Sequence, residues 1–376
     1  MAAPFLVLAA VGVVFYILAC AATVAFCARA RRAAPAAHPP VAVLKAFRGA
    51  DRDLAANLET FAKLDGGDVQ VLFGCAEEQD PALPIVREFC GRHRDACVEI
   101  VREQTGANEK VNHLAGIVPL AKHPLLLLAD SDVRVEPALA RRVLAAFDDA
   151  KVGLVSCPYR ATGLSTPGAV LEGAWIGIEF IPSVFLAARL GPIRFALGAT
   201  IALRREALDA MGGFAAIRDH LADDFQLGAR IAAAGWKVQL APAFVDLWTS
   251  PLGLQEFLLH QVRWARTIRV CNPVGHFFSV LSRPIPFALL AAAVEPASPW
   301  ALGAVAATFG MRILTGVVNA LAQGCEQKVV LAALLSPLQE LLSTVVWLLA
   351  WGGRTVVWRG RRFELDGEGR LVRRGS

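Results

Sequence analysis

Four consecutive leucines, Leu125–Leu128, and one alanine lead directly into Asp130 and Asp132, with a single serine between the two aspartates. A run this apolar predicts a strand that is buried on both faces, as in a parallel sheet. Buried carboxylates are costly unless they are paired or bind a metal. Two carboxylates at the open end of a parallel strand are well placed to hold a divalent cation. Taken alone, the motif is more simply explained by an exposed turn in which an aspartate caps the next helix.

The apolar residues of the 376-residue chain are distributed unevenly. Hydrophobic residues make up 55% and charged residues 19% of the sequence, which indicates an architecture that is part soluble and part membrane-embedded. Phe5–Cys27 contains no charged residue and is long enough to span a bilayer. Arg29, Arg31 and Arg32 follow at once, and a basic flank favours the cytoplasmic side. Residues 1–32 are therefore predicted to be an N-terminal transmembrane anchor with a basic flank.

The C-terminal third is apolar again, and residues 275–353 are predicted to form membrane segments. Residues 354–376 follow as a basic tail with seven arginines, which favours a cytoplasmic end. Because three full crossings cannot join two cytoplasmic regions, one segment should be re-entrant or interfacial. We expect this of the first segment, since Arg283, Pro284 and Pro286 interrupt it. The candidate segments are His276–Val294, Trp300–Ala322 and Val330–Trp351.

Two charged residues, Arg312 and Glu340, lie inside these apolar segments. Charges in such positions usually face protein or a cavity, and they often pair. A structural ion pair is the favoured interpretation, and a direct role in handling substrate is the alternative.

Between the two membrane regions, residues 33–274 alternate between apolar runs and segments of helical periodicity. This alternation predicts an α/β domain with a mostly parallel sheet and helices on both faces. Ligands of such sheets bind beyond the carboxyl ends of the strands, where Asp130 and Asp132 are expected. The sequence contains no Gly-rich dinucleotide motif and no P-loop. The expected strands are Val41–Leu44, Val69–Cys75, Ala96–Val101, Pro124–Ala129 and Val152–Cys157, and the expected helices are Asp51–Leu64, Pro81–Arg92, Glu109–Ala121 and Pro137–Phe147.

Two polar clusters near predicted strand ends suit a nucleotide. Asp80 follows the strand Val69–Cys75 and can accept a hydrogen bond from a base edge, or can simply cap a helix that begins at Pro81. Lys110 stands at the start of the next helix, and a helix N-terminus with a nearby lysine suits a diphosphate. The alternative there is an ordinary capped and solvated helix start.

Two later clusters suit transfer chemistry. Asp223 and Asp224 begin a helix, where they benefit from the helix dipole, or one of them can act as a general base. Arg263 can clamp a phosphate with two hydrogen bonds, and Trp264 can form a wall for a sugar or ring. The alternative for this second cluster is an amphipathic helix on the membrane surface, and the two interpretations are compatible.

A further apolar run, Gly173–Phe195, lies between the predicted sheet elements. It is equally well explained as core and as a membrane-dipping helix that guides a lipid hydroxyl to Asp224.

In their order and spacing these residues resemble the membrane-bound inverting nucleotide-sugar glycosyltransferases of the GT-A fold. The closest resemblance is to the ceramide glucosyltransferase family and to the bacterial hopanoid-biosynthesis glycosyltransferases, which look like its relatives. The likeness covers nearly the whole chain, from the N-terminal anchor to the tail at Trp358–Arg362. It implies a GT-A domain flanked by N-terminal and C-terminal transmembrane helices.

The donor-side motifs of the family match several positions. The opening strand and its Lys/Gly-containing turn match Val43–Asp51, which includes Lys45, and the first motif aspartate matches Asp80. The Lys-x-Asn element matches Lys110 and Asn112. The resemblance implies that these residues contact the donor nucleotide.

The catalytic motifs of the family match as well, with two departures. The metal-site aspartate matches Asp130 and the catalytic-base aspartate matches Asp224, while the Gln/Arg-x-x-Arg-Trp motif falls on His260–Trp264. His260 replaces the usual Gln or Arg, so its contact with the donor is open. Asp132 completes an Asp-x-Asp that some ceramide enzymes lack, which favours the use of a metal.

The resemblance implies an enzyme that transfers a sugar from a UDP-sugar, expected to be UDP-glucose, to the hydroxyl of a membrane lipid such as ceramide with inversion at the anomeric carbon. A divalent cation, Mg²⁺ or Mn²⁺, is expected as cofactor on Asp130 and Asp132. The donor contacts are expected from Lys45, Asp80, Lys110, Asn112, Asp130 and His260, and the catalytic groups are expected to be Asp224, Arg263 and Trp264.

Several alternatives stay open. The donor can be UDP-N-acetylglucosamine and the acceptor a hopanoid polyol, or the chain can be a processive polysaccharide synthase or a non-catalytic membrane scaffold. The net charge of +5 fits a surface against anionic lipid at least as well as nucleic acid, which is not an expected partner. The Ala- and Arg-rich composition suggests a bacterial source with GC-rich DNA. Together with the apolar segments and their basic flanks, it predicts a multi-pass protein of a bacterial inner membrane with a cytoplasmic catalytic domain. The oligomeric state is not predicted.

Overall fold

The four leucines lie in a fully buried strand of a seven-stranded sheet, as predicted. This computed structural model describes residues 1–33, 39–65, 67–358 and 361–373. Arg359, Gly360 and Arg374 of the basic tail therefore lie outside the described residues. The strands are β1 (Val41–Ala46), β2 (Val69–Cys75), β3 (Ala96–Ile100), β4 (Leu125–Ala129), β5 (Val133–Arg134), β6 (Val152–Ser156), β7 (Tyr159–Thr162), β8 (Thr200–Arg204), β9 (Lys237–Leu240), β10 (Val245–Trp248), β11 (Thr355–Trp358), β12 (Arg361–Leu365) and β13 (Leu371–Arg373).

The main sheet has the strand order β3-β2-β1-β4-β8-β6-β9. All pairs are parallel except those of β8, which runs antiparallel between β4 and β6. The predicted mostly parallel sheet is thus confirmed, whereas β8 is not among the predicted strands. Because β3, β2, β1 and β4 run in the same direction, their carboxyl ends lie at one edge of the sheet.

Helices connect the strands and cover both faces of the sheet, as predicted. The helices are α1 (Ala3–Arg32), α2 (Leu54–Ala62), α3 (Leu83–Arg92), α4 (Glu109–Ile117), α5 (Leu139–Leu144), α6 (Pro167–Ala174), α7 (Ile181–Leu190), α8 (Arg205–Ala210), α9 (Asp223–Ala233), α10 (Leu254–Cys271), α11 (Pro273–Phe278), α12 (Pro284–Val294), α13 (Pro299–Gln323), α14 (Gln327–Ala332) and α15 (Ser336–Trp351). A π-helical segment, Trp175–Phe180, joins α6 to α7 without a break.

The two faces of the sheet bury separate apolar clusters because successive side chains of a strand point to opposite faces. In β1, Val43 packs in the cluster formed with α2, α3 and α5, whereas Leu44 packs in the cluster formed with α4, α8 and α9. Burial on both faces explains why the strands are continuous hydrophobic runs rather than alternating ones. The small sheet β5-β10-β7 lies beyond the carboxyl end of β4.

Among the described residues, four helical stretches are long and apolar enough to cross a membrane by length and composition. They are Ala3–Arg32, Pro167–Leu190, Pro299–Gln323 and Gln327–Trp351. The Pro167–Leu190 stretch buries most of the apolar side chains that the sequence offered either as core or as a membrane contact, among them Ile176, Ile181 and Phe185. This part of the chain is therefore largely core. How the helices cross a membrane stays a prediction.

The interrupted first C-terminal segment is broken, as its sequence predicts. Residues Pro273–Ser282 and Pro284–Val294 form two helices bent by 57° at Arg283. Such a bend fits a broken span or a re-entrant loop.

The basic tail is folded, which its sequence did not lead us to expect. Strands β11, β12 and β13 form an antiparallel sheet whose apolar side chains pack on Leu221, just before α9. Arg361 Nη1 lies 2.5 Å from Glu109 Oε1 at the start of α4. The tail sheet therefore contacts the loops at the carboxyl edge of the main sheet.

Candidate active site at the carboxyl ends of the strands

Lys110 joins the ends of two different elements. Its Nζ lies 2.6 Å from Asp130 Oδ1, beyond β4, and 3.6 Å from Asp223 Oδ2, at the start of α9. Burial alone would lower the pKa of Lys110, but the two carboxylates outweigh burial and raise it above its usual range. Lys110 is therefore a fixed cation at this edge, and its contact with a diphosphate stays a prediction.

Asp132 is a buried carboxyl group whose neighbouring charges are mostly negative. Its Oδ1 is inaccessible to solvent and has no hydrogen-bond partner within the described ranges. Burial, Asp130 and Asp51 raise the pKa of Asp132 to about 7, against a smaller opposing effect of Lys45. The turn itself is held by Ser131, whose hydroxyl donates to Asp51 Oδ2. This is the environment that a bound cation would relieve.

Lys45 lies beneath the site rather than in it. Its side chain is 1% exposed, its Nζ donates to the Asp130 carbonyl oxygen at 2.7 Å, and it sits over the Phe61 ring at 3.7 Å from the centroid. Burial lowers the pKa of Lys45 to about 7, although Asp130 and Asp132 oppose that shift. Lys45 therefore fixes the backbone of the aspartate turn, and a direct contact with the donor stays a prediction.

Asp224 lies in the first turn of α9 with its carboxylate against Gly198. A Cβ atom at Gly198 would lie 3.0 Å from Asp224 Oδ2, so a side chain there would displace the carboxylate. Burial and the neighbouring Asp223 raise the pKa of Asp224 to about 7, and Lys110 opposes the shift. A carboxyl group that titrates near neutral pH is suited to accept a proton.

Asp80 and Asn112 organise loops at the same edge. Both carboxylate oxygens of Asp80 accept from Gly49 N, at 2.9 and 3.1 Å, and Oδ1 also accepts from Ala82 N at 2.8 Å. Asn112 donates to the Gly106 carbonyl at 2.8 Å and accepts from Gly106 N at 3.0 Å. The structure thus gives both residues a loop-holding role, and their predicted contacts with the nucleotide are untested.

Helix α10 approaches the site at its C-terminal end, where burial, and then the charge of Asp224, raise the pKa of Cys271. Trp264 stacks on Trp175 with ring centroids 5.0 Å apart, and Trp175 stacks in turn on Phe180 at 5.1 Å. Beside them, Arg263 forms no ion pair in the part of the chain that the structure describes, and burial lowers its pKa. An arginine without a carboxylate partner is available for an anionic ligand.

His260, which replaces the Gln or Arg of the family motif, contacts a buried glutamate. His260 Nδ1 lies 3.3 Å from Glu172 Oε2, whose residue is 5% exposed on α6. This contact turns His260 toward α6, so its predicted contact with the donor remains open.

The sequence matches one protein-family model along nearly its whole length. The model of glycosyl transferase family 21 matches residues 4–371. The chain belongs to glycosyl transferase family 21. The predicted fold and enzyme class, a mostly parallel α/β glycosyltransferase with apolar helices at both ends, are thereby confirmed.

Relatives of this family 21 chain include two proteins of Caenorhabditis elegans. Ceramide glucosyltransferase 1 is 23% identical over 89% of the chain and 73% of its own length. Ceramide glucosyltransferase 3 is 24% identical over 61% of the chain and 50% of its own length. Two crystal structures of S. aureus TarS 1-349, one in complex with UDP-GlcNAc, cover 90% of the chain and 99% of their own at 12% and 13% identity, with TM-scores of 0.41 and 0.39.

Three residues near the candidate site, Asp51, Tyr159 and Glu172, were not among the predicted site residues, whereas Asp223 was already a candidate base. Asp51 could have been found because it follows the end of β1. Tyr159 lies among carboxylates: burial, and then Asp224 and Glu172, raise its pKa above the usual range. Its only sequence signal is its position after β6, and Glu172 has only the signal of a lone acid in an apolar helix.

The aspartate turn of this glycosyltransferase can hold a divalent cation only together with oxygen ligands from a bound diphosphate. Among the described residues, no three His, Cys, Asp or Glu side chains are arranged to hold a metal ion. Asp130 and the unpartnered oxygen of Asp132 supply two carboxylates. Mg²⁺ is typically bound by one or two carboxylates together with substrate phosphates, so the donor set is adequate when a diphosphate is present.

Proposed function

We propose that this family 21 glycosyltransferase transfers glucose from UDP-glucose to the hydroxyl of a membrane lipid such as ceramide, with inversion. The observation that supports the proposal is the contact of Lys110 with Asp130 and Asp223, beside Asp224. We infer that the diphosphate binds at this junction. The choice of a lipid acceptor and of glucose follows the names of the two relatives. The apolar helices around the domain support a membrane acceptor and a multi-pass location. The basic flank at Arg29, Arg31 and Arg32 supports a catalytic domain in the cytoplasm.

On the donor side, positive charge must stabilise the UDP leaving group. Lys110 and Arg263 supply it, and Asp80 fixes the uracil at the loop that it organises. Asp130 and Asp132 would hold the divalent cation, which when bound supplies further charge stabilisation to the departing diphosphate.

On the acceptor side, Asp224 takes the proton of the lipid hydroxyl as that oxygen attacks the anomeric carbon. The carboxylate rests on Gly198 through Oδ2, and its Oδ1 accepts from Phe225 N at 2.7 Å, which fixes its orientation. Trp264 and Trp175 form an apolar wall that continues through Phe180, whose ring centroid lies 6.2 Å from that of Tyr159. Asp224 is one of the charges that act on Tyr159. A single displacement at the anomeric carbon inverts its configuration.

The test is transfer by the purified protein in lipid nanodiscs. The full chain is incubated with ¹³C-labelled UDP-glucose, Mg²⁺ and ceramide, and the lipids are analysed by mass spectrometry. We expect one labelled hexose per ceramide, with the β configuration by NMR from the α-linked donor. Parallel reactions with UDP-N-acetylglucosamine and a hopanoid polyol test the alternative substrates. Label in a polymer, or in no lipid at all, would contradict the proposal.

A further inference from the structure

The helix between the sheet and the membrane helices contains a turn that cannot be an ordinary α-helix. Pro182 has no N–H group, so the Ile178 carbonyl, four residues before it, loses its usual partner. One residue earlier, Ile181 N donates to the Ile176 carbonyl, a π-helical bond, instead of to Gly177. Two successive carbonyls, those of Gly177 and Ile178, are thereby left without their helical donors.

Helix α13 supplies donors to both orphan carbonyls. Gln323 Nε2 donates to the Gly177 carbonyl at 2.6 Å, and Asn319 Nδ2 lies 3.5 Å from the Ile178 carbonyl. Both amide side chains are buried, at 2% and 3% exposure. Unpaired carbonyls in an apolar environment are costly, which explains amide side chains in a helix as apolar as α13.

The same face of α13 also carries a buried charged residue, Arg312. Arg312 Nη2 lies 3.0 Å from Glu179 Oε2 in the π-helical segment, and Arg312 Nε lies 3.4 Å from Glu340 Oε2 on α15. Between them Gly316 lets the two helices approach, because a Cβ there would lie 3.2 Å from Ile178 Cγ2. Residues 312, 316, 319 and 323 follow the spacing of one helix face. We call this set the α13 polar stripe.

The segment that the α13 polar stripe holds begins with Trp175, the residue that stacks on Trp264 in the site. We propose that the α13 polar stripe positions the aromatic wall of the active site by fixing the π-helical turn. Gln323, Asn319 and Arg312 are then positioning residues for the lipid acceptor, although none belongs to the site itself. This inference rests on the proposed function in naming a lipid, but its structural part does not.

The test compares Gln323→Met, which keeps the side-chain length and removes the donor, with two other variants. Thr308→Val is the matched control, because Thr308 is also buried on α13 but its hydroxyl bonds only to Val305 of its own helix. Trp175→Phe is the reference for a lost indole stack. Each full-length protein is placed in nanodiscs, and the exciton signal of stacked indoles is recorded by circular dichroism before any substrate is added.

We expect Gln323→Met to weaken the exciton signal toward that of Trp175→Phe, whereas Thr308→Val retains it. Misplacement of a wall by about 1 Å can cost up to about 10²-fold, so kcat/KM for the lipid should fall by about that factor while the KM for UDP-glucose is unchanged. An unchanged exciton signal in Gln323→Met, or equal losses in lipid and donor parameters, would overturn the proposal.

A second variant covers the case in which Gln323→Met does not fold. Gly316→Ala should push α13 away from Ile178 and weaken the exciton signal in the same direction. A stable Gly316→Ala protein with the wild-type signal and activity would also refute the proposal. If the wild-type protein glycosylates no lipid, the proposed function fails, but the exciton comparison still tests the positioning role.

Discussion

Two groups of buried charges in this molecule differ in their balance. The sheet-edge cluster contains two lysines and five aspartates, namely Lys45, Lys110, Asp51, Asp130, Asp132, Asp223 and Asp224. The helix cluster contains two arginines and two glutamates, namely Arg283, Arg312, Glu179 and Glu340. The first is left with an excess of negative charge, and the second is matched.

This difference separates a site from a support. Burial, and then neighbouring carboxylates, raise the pKa values of Asp132 and Asp224, and a cationic ligand would relieve the repulsion between these carboxylates. In the helix cluster Glu179 and Glu340 each meet arginine, and Ile285 N donates to Glu340 Oε1 at 3.0 Å. The ion pair expected for Arg312 and Glu340 is therefore confirmed. The further contacts of both residues are also with protein groups, namely Glu179 and Ile285 N.

The largest effect is expected at the proposed base. Asp224→Asn removes the proton acceptor and should reduce kcat by about 10²–10⁴-fold while UDP-glucose binding persists. Asp209→Asn, at an exposed position on α8, is the matched control and should be neutral. Steady-state kinetics with titration of UDP-glucose measures both parameters. Retained turnover in Asp224→Asn would refute the assignment of the base.

A comparable loss, but of stability, is expected in the helix cluster. Glu340→Gln leaves part of the Arg312 charge unmatched and should cost about 3 kcal/mol of unfolding free energy. Thermal unfolding in nanodiscs measures the loss. The double variant Arg312→Met, Glu340→Leu should recover part of it if the pair is structural. A Glu340→Gln protein of wild-type stability with impaired catalysis would instead favour a role in handling substrate.

A smaller effect is expected from pH. The folded-state pKa of Asp224, about 7, lies above the ordinary value of 3.8, so the folded protein binds more protons between these values. Its contribution to stability is therefore present at low pH and is lost as pH rises through about 7. The same deprotonation should activate the base, so activity and stability change in opposite directions. Melting curves and kcat/KM between about pH 4 and pH 8 test this. Asp224→Asn should reduce the slope of the stability profile, to which Asp132 also contributes.

The smallest effect is expected at His260, where the chain differs from the family motif. His260→Gln restores the residue that the resemblance leads us to expect and loses a half-exposed contact with Glu172, so it should change transition-state stabilisation by less than about 1 kcal/mol. Glu172→Gln, measured in the same kinetic assay, tests the contribution of the buried glutamate that contacts His260. A large loss in His260→Gln would show that His260 itself touches the donor.

The sequence predicted the fold where one local rule was sufficient. Continuous apolar runs such as Leu125–Leu128 identify parallel strands, and the strand-end rule brings Asp130, Lys110 and Asp224 to one edge. Strand β8 was missed because an antiparallel strand inserted after a long apolar helix breaks the βαβ pattern. The folded tail was missed because its arginines dominate a short pattern of alternating apolar residues, Val356, Phe363, Leu365 and Leu371.

The finer features of the site depend on tertiary contacts that no local pattern contains. The sequence shows Lys45 in a turn motif but does not reveal that its amine lies under the Asp130 carbonyl. Pro182 signals an irregular helix, yet the donors that make the π-helical turn tolerable come from Gln323 and Asn319, more than a hundred residues later. Residues that act through such contacts are invisible to motif analysis.

The central claim is that only the sheet-edge cluster binds the nucleotide and its cation. Calorimetric titration of UDP into the wild-type protein, Asp132→Asn and Glu340→Gln, each with and without Mg²⁺, tests this claim directly. We predict that Mg²⁺ strengthens UDP binding in the wild type and in Glu340→Gln but not in Asp132→Asn. Mg²⁺-independent binding by the wild-type protein, or an equal loss in both variants, would contradict the account.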